Sequence, residues 1–90
     1  MLTEVHAIFI GRVQGVGFRY TAERYAIELG IAGTVRNLPD GSVELIAQGD
    51  RKRVQMLIDC LINEAFPGKI TETKVTFRNI QSPFADFRIL

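Results

Sequence analysis

Gly11 to Arg19 reads GRVQGVGFR and separates two patterns that need different backbones. Before it, Val5 to Ile10 (VHAIFI) is a short, almost wholly apolar run rich in β-branched and aromatic residues. That run predicts a strand central in its sheet and covered on much of both faces. After it, Phe18, Ala22, Tyr25, Ala26 and Leu29 recur at helical intervals, with Gly30 as the stop. The chain must therefore turn from strand to helix within a few residues, and Gly11, Gly15 and Gly17 let it do so through positive φ.

The same segment suggests a chemistry. If a helix begins at about Phe18 to Tyr20, its first amides lack intrahelical partners and carry the positive end of the dipole behind them. A glycine loop feeding such a helix start favours an anion. A first turn normally favours Asp or Glu, yet Gly11 to Ala22 contains no acid and two arginines, Arg12 and Arg19. Arg19 stands at the wrong end of the dipole unless something negative is bound, and its guanidinium fork suits two phosphate oxygens. Arg12 and Arg36 read as surface charges that raise the local potential, and Phe18 as the core anchor of the helix.

The remainder of the chain supplies a frame. Thr34 to Asn37 leads into the turn Leu38-Pro39-Asp40-Gly41. Beyond the turn, Val43, Leu45 and Ala47 alternate with Glu44, Ile46 and Gln48, which completes a hairpin. Asp50 is a candidate cap for a second helix with the stripe Val54, Leu57, Ile58, Leu61 and Ala65, ended by Phe66-Pro67-Gly68. Thr73, Val75 and Phe77 alternate with polar neighbours in a further strand, and Phe87 and Ile89 suggest a short last one. The order β-α-β-β-α-β is that of an α+β, ferredoxin-like sandwich, an antiparallel sheet with two helices on one face plus a short C-terminal strand. Ninety residues suit a single domain over 1–90. Whether Asn37 reaches the glycine loop depends on packing that periodicity does not reveal.

The composition narrows the chemistry further. With eleven basic and ten acidic side chains the net charge is +1, so no global field attracts nucleic acid or an anionic membrane. The chain has no RNP-type aromatic motif or basic face for RNA. One histidine, His6, and one cysteine, Cys60, cannot assemble a zinc site of the usual ligand count. The loop lacks the lysine and hydroxyl residue of a Walker A motif, and Tyr20 stands where GxGxxG requires its third glycine. Phe66 occupies the place, six residues after Cys60, where a cysteine phosphatase needs arginine. Cys60 and His6 are better read as structural residues. No basic, apolar leader or membrane-length run is visible, so the expected compartment is the cytoplasm.

A phosphate pocket with an arginine but no nucleophile, general acid or metal suits an acyl phosphate. Its leaving group is a carboxylate, stable at neutral pH without a proton. Catalysis can then consist of holding the phosphoryl oxygens, stabilising developing charge and placing a water in line with phosphorus.

GRVQGVGFR, followed by Gly33-Thr34-Val35-Arg36-Asn37 and Asp40-Gly41-Ser42-Val43-Glu44, closely resembles the acylphosphatase family over essentially the whole chain. The resemblance implies a ferredoxin-like fold and metal-free hydrolysis of the carboxyl-phosphate bond with no cofactor. It implies a small-molecule acyl phosphate as partner, phosphate as product, and no nucleic acid or membrane partner; a monomer is expected. It also implies that the amides of Gln14, Gly15, Val16, Gly17, Phe18 and Arg19 cradle the phosphate, that Arg19 grips it, and that Asn37 orients the attacking water. Two features depart from the family's pattern: Thr34 replaces a common Trp, and the Phe66-Pro67-Gly68 segment is short. Both bear on substrate fit and stability rather than reaction type. The alternative reading is a non-catalytic phosphate- or anion-binding module of the same fold.

Overall fold

Strand alternation and helical stripes resolve into one five-stranded sheet in a computed structural model that describes residues 2–90, Met1 lying outside them. The elements are β1 (Leu2–Gly11), α1 (Phe18–Glu28), β2 (Ala32–Asn37), β3 (Val43–Asp50), α2 (Arg51–Asp59), a π-helical continuation (Cys60–Ala65), β4 (Ile70–Arg78) and β5 (Phe87–Ile89). The sheet order is β4-β1-β3-β2-β5. The first four strands pair antiparallel, whereas β5 runs parallel to β2, so the sheet is mixed at that edge. The ferredoxin-like α+β arrangement follows from this order with both helices on one face. Among the described residues no helix is long and apolar enough to cross a membrane.

The side-chain period of two decides which face is buried. Val5, Ala7 and Phe9 of β1 and Val43, Leu45 and Ala47 of β3 are fully buried beneath the helices. Phe18, Ala22 and Ala26 of α1 and Val54, Leu57 and Ile58 of α2 close over them. The other face of β1 is only half covered: His6, Ile8 and Ile10 are partly exposed on a sheet face that carries no helix. The expectation of cover on both faces therefore holds for one face alone. Long polar side chains shield the open side, where His6 Nε2 lies 2.8 Å from Glu44 Oε2 and Arg36 Nε donates to Glu44 Oε1 at 2.7 Å. Glu4 similarly accepts from Gln48 Nε2 at 2.6 Å and from Arg78 Nε.

The second helix departs from its expected stripe at the end. It passes into π-helical turns at Cys60, and Phe66 N–H closes an i→i−5 bond to Leu61 C=O at 3.1 Å. The wider turn brings residues five apart onto one face, so Phe66 also follows Leu61 into the core, with half-buried Ala65 packed against it. There Phe66 stacks on Phe18 with ring centroids 4.9 Å apart, and Phe18 meets Phe9 at 5.0 Å. Phe18 thus joins both layers at the first residue of α1.

Two outcomes test this packing. Phe18→Ala should destabilise the fold by about 3–5 kcal/mol, read from denaturant unfolding. Burial pushes the Glu4 and Glu44 carboxyls up, but their hydrogen bonds to Gln48 and Arg78, and to His6 and Arg36, outweigh it and hold both below the ordinary 4.5. The stability they contribute is therefore complete above that value and is lost as pH falls through the depressed folded values. Denaturant midpoints measured from about pH 6 down to about pH 3 should fall, and fall less steeply in Glu4→Gln.

Candidate active site

The sheet brings together two chain ends that are far apart in sequence. Strands β1 and β2 are both antiparallel to β3, so they run parallel to each other and finish at the same edge of the sheet. In register, Phe9 and Asn37 both oppose Val43, one from each side. The three share a row and a face, which puts Asn37 about 10 Å from Phe9 across two strand spacings. Phe9 packs against Phe18, where α1 begins. The loop that leaves β1 therefore opens beside Asn37.

The loop makes its turn at Gly15 and Gly17, with φ of 74° and 80°. A Cβ at either position would meet nothing within 4 Å, so the glycines are required by backbone conformation rather than by crowding. Gly17 is the N-cap of α1, and no side chain caps the helix. Its first bond, Thr21 N–H to Gly17 C=O, measures 3.1 Å. The amides of Phe18, Arg19 and Tyr20 ahead of it have no intrahelical acceptor. The first turn carries no acid. The start of α2 is a useful contrast, because it is also basic (Arg51, Lys52, Arg53) yet Asp50 Oδ1 accepts from Lys52 N–H at 3.0 Å and supplies the negative cap. Among the described residues, only the α1 start pairs exposed glycine turns with a basic first turn and no acidic cap.

A pocket of about 170 Å³ stands at that helix start, lined by Val13, Gly15, Gly17, Phe18, Arg19, Tyr20 and Asn37. Arg19 and Asn37, eighteen positions apart, therefore face one space. Arg19 Nη1 donates to the Leu90 carbonyl at 3.3 Å, which steadies the guanidinium from the side of β5. Leu90 is itself held by its N–H to Val35 C=O at 2.9 Å. Gln14 and Val16 belong to the loop but not to the pocket lining; Val16 is exposed, and the Gln14 carboxamide reaches across to the Leu38 and Ser42 carbonyls.

Several features of this neighbourhood escaped sequence reasoning. Tyr20 is largely exposed at the pocket wall, and Val13 is buried beneath it. Neither breaks any periodic pattern. The Leu90 carbonyl is a backbone group next to the short last strand, and no side-chain pattern marks it.

The remaining reactive groups lie elsewhere. Cys60 is half-buried, and burial followed by nearby Glu64 pushes its thiol above the ordinary value. His6, Arg36 and Glu44 pair with one another on the open sheet face, away from the pocket. Thr34 opposes Ile46 and so also lies on the open face, opposite in parity to Val35 and Asn37. A larger cavity of about 340 Å³ on that face is lined by Glu4, Ile46, Arg78, Gln81, Ser82 and Phe84, but its charges are already paired with each other. Among the described residues no group of three or more His, Cys, Asp and Glu side chains is placed to hold a metal ion. What the α1 pocket offers is backbone amides, one guanidinium and one carboxamide, a set suited to an oxyanion and a water.

Comparison with known proteins places the chain in a family. The family model described as Acylphosphatase matches residues 5–89. A protein named acylphosphatase from Methylococcus capsulatus is 40% identical over 89 residues, covering 99% of this chain and 97% of that one. One from Paenarthrobacter aurescens is 44% identical over 80 residues, covering 89% and 85%. The crystal structure of acylphosphatase from Bacillus subtilis superposes with a TM-score of 0.91 at 36% identity, covering 100% of this chain and 99% of that one. Matched along nearly its whole length in both sequence and fold, the chain belongs to the acylphosphatase family.

Proposed function

We propose that this protein hydrolyses the carboxyl-phosphate bond of small acyl phosphates by attack of a bound water, without a metal. The observation that carries the reading is the uncapped, acid-free start of α1, which shares one pocket with Arg19 and Asn37. The amides from Gln14 to Arg19 form a phosphate-binding loop, and the Arg19 guanidinium holds two phosphoryl oxygens. Together with the helix dipole they stabilise charge on the transferring group. Asn37 orients the water opposite the leaving group. The water oxygen forms a bond to phosphorus as the bond from phosphorus to the acyl oxygen breaks. The electron pair departs with the carboxylate, and the water's protons pass to the phosphate product and solvent. A carboxylate leaves without protonation, so a site composed of donors and a positioned water is sufficient. The protein acts as a monomer in the cytoplasm, and among the described residues no helix is long and apolar enough to cross a membrane.

Benzoyl phosphate tests the mechanism. The wild type should release phosphate at the same rate with and without a chelator, and a rate that requires added metal would exclude the scheme. Arg19→Gln should lower kcat/KM by about 10²–10³-fold and weaken inhibition by inorganic phosphate. Asn37→Ala should lower kcat by about 10²-fold while leaving phosphate binding close to wild type, because it removes the water's partner rather than the anion's. Saturable phosphate binding without any turnover would instead identify a non-catalytic binding module.

A further inference from the structure

Gln14 is an exposed residue on the phosphate loop, yet its side chain turns away from the pocket. Its Nε2 donates to the Leu38 carbonyl at 2.8 Å and to the Ser42 carbonyl at 2.9 Å. A carbonyl only accepts, so both contacts require the NH₂ end of the carboxamide there. Both of its hydrogens are then consumed, and the group has no donor left for a phosphate.

The two acceptors lie at the neck of the β2–β3 hairpin. Leu38 directly follows Asn37, and Ser42 directly precedes Val43, the register partner of Asn37. The neck is already closed by Leu38 N–H to Ser42 C=O at 2.8 Å, and the turn beyond it by Gly41 N–H to Leu38 C=O at 3.1 Å and Ser42 N–H to Asp40 Oδ1 at 2.9 Å. Gln14 is therefore not needed to form the hairpin. Among the described residues, no other side-chain hydrogen bond joins residues 12–17 to residues 38–42.

We propose that Gln14 is a positioning residue whose carboxamide clamps the phosphate loop to the hairpin carrying Asn37, and so fixes the spacing between the bound phosphoryl group and the attacking water. The inference rests on the hydrolytic reading above. It assigns the Gln14 side chain a role separate from that of its backbone amide in the cradle. The hairpin is closed by its own hydrogen bonds and the loop is anchored at its ends, by Arg12 N–H to Lys69 C=O and by Phe18 in the core, so without the clamp both persist but their separation drifts. A misplacement of about 1 Å between reacting groups can cost about 10²-fold in rate.

The test uses Gln14→Met, which keeps the length without a donor, and Gln14→Glu, which keeps the shape but turns a carboxylate towards two carbonyl oxygens. Turnover of benzoyl phosphate and affinity for inorganic phosphate are measured for each, alone and combined with Asn37→Ala. The expected result is a fall in kcat of about 10–10²-fold, larger for Glu, with phosphate affinity within about threefold of wild type. In the Asn37→Ala background Gln14→Met should have almost no further effect, since its action passes through Asn37. Wild-type kcat in both variants, a loss of phosphate affinity equal to the loss of kcat, or full additivity with Asn37→Ala would each overturn the clamp alone. A wild type that does not hydrolyse benzoyl phosphate would overturn the hydrolytic reading and the clamp with it. If Gln14→Glu fails to fold, Gln14→Met gives the same readings.

Discussion

Burial of Phe18 between Phe9 and Phe66 is the contact on which the position of the site depends. A helix start with uncapped amides is a reactive surface only if it is held still, and its own hydrogen bonds cannot hold it. Phe18 is the first residue of α1 and is almost fully buried, so the apolar free energy that anchors the helix acts within one residue of Arg19. The partner rings come from the first strand and from the end of the second helix. Packing thus ties the start of α1 to both layers at once, and the π-helical turns bring Phe66 inward to complete that contact.

Strand direction does the rest. Because β1 and β2 both oppose β3, their C-terminal ends coincide at one sheet edge, and pleat parity puts Asn37 on the helix-covered face with Phe9 and Val43. Moving β2 by one residue would send Asn37 to the open face and Arg36 to the pocket. The fold therefore specifies the Arg19–Asn37 juxtaposition through register as much as through any contact between them. The parallel addition of β5 extends the same logic, since it carries Leu90 to where its carbonyl meets Arg19.

The proposed chemistry suits so small a frame. A 90-residue chain has little interior in which to bury a charged catalytic network at tolerable desolvation cost. In the proposed site the groups assigned to the anion are backbone amides, which are neutral, and the one guanidinium stays at the surface. The electrostatic work is spread over a helix terminus that exists for structural reasons anyway. Acyl phosphates, with a leaving group that needs no proton, make modest demands that such a site can meet.

The strands, both helices and their order were readable from local pattern, because alternation and helical stripes are imposed by burial of one face at a time. The features behind the proposed anion preference of Gly11 to Arg19 are equally local: glycines, an acid-free first turn and an arginine lie side by side in the chain. Other features were not readable. The open second face of β1, the entry of Phe66 into the core beside Ala65, and the direction of β5 each depend on what packs against them. So do the approach of Asn37 to the loop and the reach of Gln14 to the hairpin, since each joins segments far apart in the chain, Asn37 lying eighteen positions from Arg19 and Leu38 twenty-four from Gln14. By itself the sequence determined which backbone turns and helix ends were possible and which charges they would favour. Only the tertiary structure decided which groups share the pocket, because distance across a sheet is set by register and packing rather than by separation along the chain.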